Sequence, residues 1–380
     1  MLGNKKRLIE YDKRKYYKEM VKPKKISTNK DLSPRVGFCY FELGDTSWRK
    51  VCSVVDSTLK NNFKKYYPIV FKGKFRSRKL DLLIGQTQFC LEQFIKAAQD
   101  NPAVVRVALL ATHTESEIAA SNNERKACGV RPIDLKSVGL HRYKAERLLA
   151  DYLLVASQRC KKDLIAAGCP PEKIRILRYG IQVDKPRFRE RINKVRFLFI
   201  GTDPFRKGIR ILFEAWDQLK LKNAELICAV SPEVASSQLL LKYLIKNPSI
   251  IIRYLLPLSD YSYKKGFDLY QDIDCQVLPS FHDGFSFAVG EGMGVGKPAI
   301  ISDRTGIQDL VTHLHDGYIF KSGSVEELKK GIIYFYENRE KIKEIGEAAY
   351  ETASKYSWKR FENELVDLIN FLHRQGRIYG

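Results

Sequence analysis

Two stretches of the chain bring together residue types able to hold a phosphorylated ligand. An apolar run over 195–200 opens into Gly201-Thr202-Asp203-Pro204-Phe205-Arg206-Lys207-Gly208 and then into a helical pattern. Two adjacent cations beside a helix N-terminus, with its unpaired backbone N–H groups, suit a diphosphate. A second apolar run, over 275–278, leads into Pro279-Ser280-Phe281-His282-Asp283-Gly284-Phe285-Ser286-Phe287 and a helix that carries Glu291. Asp283 and Glu291 stand eight residues apart, which puts one carboxylate in the loop and the other about two turns into the helix. The N–H groups of Gly284, Phe285, Ser286 and Phe287 at the helix start are expected to face an anion. Read singly, each feature has an ordinary explanation. Arg206 and Lys207 read as solvated surface, Asp283 as a helix N-cap, and Glu291 as a surface helix residue.

The elements that must position these residues follow a strand–helix rhythm. In the first half, strands are expected over 36–41, 67–71, 80–85, 104–112, 152–156 and 174–177. Helical spacing runs over 51–63, 89–98, 140–150 and 161–167, while 114–135 is polar and irregular and reads as a long loop. The apolar rhythm stops in the basic string over 184–192 and restarts with the strand at 195–200. Beyond it, strands are expected over 224–230, 250–254, 275–278 and 298–302. Helices are expected over 209–219, 234–245, 261–269, from about 285, and over 324–337 and 358–374. Strands alternating with helices at this pitch imply parallel βαβ units in both halves.

Composition bounds the setting. At 380 residues and 44% apolar, the chain suits two cored α/β domains and not a disordered polymer. The start, MLGNKKRLIE, has no apolar signal segment, and no apolar run approaches the roughly 18 residues that span a bilayer. A soluble cytoplasmic protein is expected. The eight cysteines are scattered without a C-x-x-C pair, so they read as free thiols used as small hydrophobes. The net charge of +22 is uneven: residues 1–190 hold 40 Lys and Arg against 20 Asp and Glu, leaving +2 for the rest. That field favours an anionic partner, most readily the inner face of a membrane. A nucleic-acid partner ranks last, because no nucleic-acid module is recognisable.

Residues 156–323 resemble the retaining glycosyltransferases of family 4, with four motifs in that family's order. ASQRCKKDLIAAGCPPEKIRILRYGIQVDKPRF is similar to the family's linker signature, and FLFIGTDPFRKGIRILFEAW to its phosphate-binding strand, loop and helix. DCQVLPSFHDGFSFAVGEGMGVGKPAIISDRTGIQDLV is similar to the donor motif, two acidic residues separated by seven, and DGYIFKSGSVEEL completes the run. The resemblance implies the GT-B fold: α/β, with two Rossmann-like doubly wound domains facing each other across a cleft. A basic arm would cover 1–34, an acceptor domain 35–188 and a nucleotide-sugar domain 189–357. The helix from 358 to 380 would pack back on the first domain.

By the same resemblance, Lys207 would hold the donor diphosphate with Arg206 as helper, and Glu291 would accept hydrogen bonds from the ribose. Asp283 would orient the donor sugar, and His113 matches a family histidine lining the cleft, an ordinary loop histidine being the alternative. The co-substrate would be a UDP- or GDP-linked sugar, the acceptor a glycan or lipid-linked glycan, with no cofactor and no metal. The chain departs from the family at three places. Asp283 stands where Glu is usual, Thr202 follows the loop glycine where Arg is common, and Gly290, Gly292, Gly294 and Gly296 stand where alanines are favoured. These glycines would either admit the nucleotide closely or mark a weakened site. A catalytically silent nucleotide-sugar-binding subunit and a nucleotide-sugar epimerase of the same fold are the alternatives.

Overall fold

The computed structural model describes residues 33–40, 47–70, 80–110, 114–134, 139–190, 193–255 and 268–376. Nearly all of the basic arm, the histidine at 113 and most of the helix expected at 261–269 lie outside these residues.

The first half forms a six-stranded parallel sheet in the order β2-β1-β3-β4-β5-β6. Its strands are β1 (Arg35–Tyr40), β2 (Lys65–Val70), β3 (Leu82–Gln86), β4 (Val105–Leu109), β5 (Tyr152–Val155) and β6 (Ile174–Ile176). Between them run the helices α1 (Ser47–Asn62), α2 (Leu91–Asp100), α3 (Thr114–Ala127), α4 (Leu140–Leu149) and α5 (Gln158–Ala166). Every residue of β3, β4 and β5 is buried, as required when helices cover both faces of a parallel sheet. At the N-terminus of α2, where no side chain of the cap residue bonds, the buried Glu146 accepts from the N–H groups of Gln88, Cys90 and Leu91 at 2.6, 3.1 and 3.1 Å.

The second half repeats the plan in the order β12-β11-β10-β7-β8-β9. Its strands are β7 (Val195–Gly201), β8 (Ala224–Val230), β9 (Ile250–Tyr254), β10 (Cys275–Leu278), β11 (Ala299–Ser302) and β12 (Gly317–Phe320). The helices are α6 (Ile209–Leu219), α7 (Gln238–Lys246), α8 (Phe287–Met293), α9 (Val325–Glu337), α10 (Lys341–Ser354) and α11 (Trp358–Gln375). Helix α6 buries Ile209, Ile211, Leu212, Phe213, Ala215 and Trp216 on the sheet. The last helix, α11, returns to pack against α1 of the first half.

Several elements differ from the sequence reading. The stretch expected as a loop over 114–135 begins with the helix α3. Its sequence, TESEIAASNNERKA, has no apolar stripe, so periodicity is silent. Its ends nevertheless suit the helix dipole, with Glu115 and Glu117 in the first turn and Arg125 and Lys126 in the last. The helix expected over 234–245 is split at Ser237, whose hydroxyl caps α7 by accepting from the N–H of Leu240 at 3.3 Å. Strand β12 and helix α10 were not expected. The helix expected from about 285 begins at Phe287.

The strand order places the candidate residues. In the second sheet the connections reverse direction between β10 and β7, the topological switch point where open α/β sheets leave a crevice at the carboxyl ends of their strands. The loop after β7 carries Arg206 and Lys207, and the loop after β10 carries Asp283.

Candidate nucleotide-sugar site

Glycines let the two loops meet. Gly208 is in the left-handed region at φ 84°, ahead of α6, and a Cβ there would lie 2.1 Å from the carbonyl oxygen of Pro279 in the loop after β10. At Gly201 a Cβ would meet the Cδ of Lys207 at 2.6 Å, so the lysine stem lies along the end of its own strand. Gly208→Ala is expected to lower stability by about 2 kcal/mol or more, from left-handed strain together with a backbone clash. Denaturant unfolding checks it, and a variant as stable as the parent would contradict the tight loop contact.

Lys207 and Asp283 face each other across the switch point, Nζ to Oδ2 at 3.4 Å. Burial alone would push the Asp283 carboxyl up. Lys207, then Arg206, outweigh it and hold the group below the usual carboxylate range. The loop is tied down by its backbone: the Asp283 N–H donates to the Arg304 carbonyl at 3.0 Å, and its carbonyl accepts from the Gly306 N–H at 2.8 Å. Oδ2 is buried and, despite its closeness to Nζ, makes no hydrogen bond of acceptable geometry. The hydroxyl of Ser286 at the start of α8 is likewise buried without a hydrogen-bond partner. Asp283 Oδ2, beside Lys207, and the Ser286 hydroxyl are unsatisfied oxygens that a ligand rich in hydroxyls could complete.

Arg206 is placed differently from the expectation of a free diphosphate ligand. Its Nε lies 3.3 Å from both Glu117 and Asp203, and its Nη1 lies 3.9 Å from Asp283. Nη1 also donates to the carbonyl of His282 at 2.7 Å. The guanidinium thus braces the loop after β7 against the loop after β10.

The aromatic residues of the donor motif also turn towards protein. The ring of Phe287 stacks on Tyr179 with centroids 5.4 Å apart, Phe285 meets the same ring edge-on at 5.5 Å, and Phe287 stacks on Trp358 of α11 at 6.4 Å. Gly284 gives its carbonyl to the Ser157 hydroxyl at 2.7 Å, a bond between the two halves. Any ligand contact from Gly284, Phe285 and Phe287 is therefore left to their N–H groups. Glu291 is half-buried on α8. The glycines beside it are filled by protein, not by space for a nucleotide. A Cβ at Gly292 would overlap the Gln276 amide at 2.0 Å, and one at Gly294 would meet the Gln182 carbonyl at 2.3 Å. Alanine is excluded there by the packing of α8 on β10 and on the linker. The cleft histidine expected at 113 lies outside the described residues.

Sequence reasoning missed the residues that join the halves at this site. Asp163 of α5, 5% exposed, meets His282 Nε2 at 3.0 Å and also pairs with Arg159. From α3, Glu124 binds Arg210 of α6 in a two-point contact at 2.8 and 3.0 Å, and Arg125 pairs with Glu233. His282, next to Asp283 in the chain, was the one local signal that could have been followed.

Two six-stranded doubly wound sheets, joined at a seam beside a switch-point site, define a GT-B protein. Residues 182–352 match the family described as glycosyl transferases group 1. The sulfoquinovosyl transferase of Arabidopsis thaliana is 26% identical over 60% of this chain and 47% of its own length. The amylovoran biosynthesis glycosyltransferase AmsK of Erwinia amylovora is 26% identical over 50% of this chain and 48% of its own. The chain thus spans about half the length of these two curated relatives. Among solved structures, the sucrose-phosphate synthase of Thermosynechococcus elongatus superposes with a TM-score of 0.67 at 12% identity, covering 90% of this chain and 99% of that one. Anabaena HepE in complex with UDP superposes with a TM-score of 0.66 at 13% identity, covering 89% and 100%.

Proposed function

We propose that this chain is a glycosyltransferase that moves a sugar from a nucleoside-diphosphate donor to an acceptor hydroxyl with retention of configuration. The observation that carries the reading is Lys207 facing the buried, incompletely bonded Asp283 across the switch point of the second sheet. Lys207 would neutralise the departing diphosphate, and Asp283 Oδ2 would accept from a hydroxyl of the donor sugar. Glu291 would take the ribose. Positioning and charge neutralisation would supply the rate, with no covalent step on the protein. UDP- and GDP-linked sugars form the panel to test, first by thermal stabilisation, since a ligand of the native state raises the melting temperature. Turnover with a labelled donor then decides the reading. No release of nucleoside diphosphate from any stabilising donor would favour a silent binding subunit, which the engagement of Arg206 by three carboxylates also supports. Nucleotide-sugar conversion without any acceptor would point to an epimerase.

The acceptor belongs in this reading to the basic half, where residues 1–190 carry most of the excess positive charge. Among the described residues no helix is long and apolar enough to cross a membrane. A lipid-linked acceptor would therefore be met by charge, each exposed Lys or Arg near an acidic bilayer contributing on the order of 1 kcal/mol. Anionic vesicles should sediment more of the protein than neutral ones at low salt, and the difference should vanish at high salt. Equal sedimentation at low salt would remove the membrane from the picture.

A further inference from the structure

The charges at the site do not balance for an incoming diphosphate. Two cations, Arg206 and Lys207, meet three carboxylates within 4 Å: Glu117, Asp203 and Asp283. A diphosphate brought to this cluster would face more negative charge than positive, so one carboxylate has to give way.

The three are not equally able to do so. Asp203 sits three residues before Arg206, and its Oδ1 accepts the Arg206 backbone N–H at 3.3 Å, so it shapes the loop itself. Asp283 is 8% exposed and pinned through both backbone groups. Glu117 comes from the other half of the molecule, on α3, with a side chain 26% exposed, and reaches Arg206 by one ion contact at 3.3 Å. The same helix is held to the second half at its far end by Glu124 with Arg210 and Arg125 with Glu233, and the Ser237 hydroxyl donates to the Cys128 carbonyl at 2.8 Å. Spacings of seven and eight residues place Glu124 and Arg125 two turns along α3 from Glu117, where both meet residues of the second half. The helix can thus stay docked while the Glu117 rotamer swings towards solvent.

We propose that Glu117 is a resident counter-ion at the site, occupying Arg206 in the absence of ligand and displaced from it by the diphosphate of the donor. This rests on the transferase reading for the identity of the ligand, but the displacement itself concerns only the anion. Glu117 is a positioning residue here. It touches neither sugar nor acceptor, and it sets how much of the Arg206 charge a diphosphate can reach.

The test titrates the full chain calorimetrically with inorganic pyrophosphate, with UDP and GDP, and with uridine and guanosine. The proteins are the parent, Glu117→Gln and Glu117→Asp, each first checked for an unchanged melting profile. Pyrophosphate should bind Glu117→Gln roughly tenfold tighter than the parent, the scale of removing one charge a few ångströms from the ligand in a partly solvated cleft. Glu117→Asp, which withdraws the carboxylate by one methylene, should lie between, and the nucleosides should bind all three proteins alike. A purely structural role would move the nucleosides and pyrophosphate together. Equal or weaker pyrophosphate binding by Glu117→Gln overturns the proposal. If the variant gains pyrophosphate affinity but no nucleoside diphosphate binds either protein, the transferase reading fails and the counter-ion stands. If nucleoside diphosphates bind parent and variant alike, the counter-ion fails and the transferase reading stands. Should Glu117→Gln alone not fold, Glu117→Asp carries the test, with unchanged pyrophosphate affinity as the refuting result.

Discussion

Lys207→Ala should weaken donor binding by roughly one to two orders of magnitude, about 1.5–3 kcal/mol, the scale of a charge-assisted hydrogen bond. Two effects act in the same direction. The variant loses the ammonium that meets the diphosphate, and it leaves the Asp283 carboxylate, 3.4 Å from the missing Nζ, with Arg206 at 3.9 Å as its neighbouring cation. The less neutralised carboxylate then repels the incoming phosphates. Calorimetric titration with the donor that stabilises the parent measures it, and Lys207→Arg, which keeps the charge, should recover part of the loss. A change smaller than twofold in the alanine variant would show that the loop after β7 does not hold the diphosphate.

Asp163→Ala should cost about 3–5 kcal/mol of stability, because it strips the shared carboxylate from Arg159 and His282 and leaves both partners at a buried seam. The same carboxylate makes stability depend on acid. Burial would push its pKa up, but hydrogen bonds from His282 and then Arg159 outweigh burial and hold it at about 2, against an ordinary 3.8. A depressed folded-state pKa means that this stabilisation is fully present above pH 4 and is lost as pH falls towards 2. The parent should therefore lose on the order of 2 kcal/mol across that window from this group. Asp163→Asn should show a shallower acid limb over the same range. Equilibrium urea unfolding at pH 5, 4, 3 and 2 decides it. Identical slopes for the two proteins would mean that the Asp163–His282 contact does not stabilise the seam. Because His282 precedes Asp283, the variant should also bind the donor more weakly at neutral pH, where its fold is retained.

Much of the architecture was legible before any coordinates. The strands at 224–230, 250–254 and 275–278 and the helix at 209–219 coincide with β8, β9, β10 and α6. Each carries a local signal: a short apolar run bounded by polar or Gly and Pro residues, or apolar spacing near 3.6. The loops with Arg206, Lys207 and Asp283 were legible for the same reason, since a strand that ends in a Gly- or Pro-bearing loop and turns into a helix announces itself within about ten residues of chain. Polar α3 was not legible. It carries no apolar stripe, and it is held instead by charges that suit its dipole and by Glu124 and Arg125, whose partners lie 86 and 108 residues away.

By itself, then, the sequence determined that parallel βαβ units fill both halves, that the strand after the linker leads into a basic loop, and that an acid sits in the loop ahead of a glycine-rich helix. Those properties are local, set by the period of side chains along the backbone and by the few residues that end a strand. The tertiary structure alone decided which charges meet. It gave Arg206 to Glu117 and Asp283 rather than leaving it open, turned Phe285 and Phe287 onto Tyr179, and set the Gln182 carbonyl against Gly294. Electrostatic and packing partners depend on distance through space, which falls to a few ångströms between residues 77 to 112 positions apart in the chain, and no short window of sequence contains both members of such a pair.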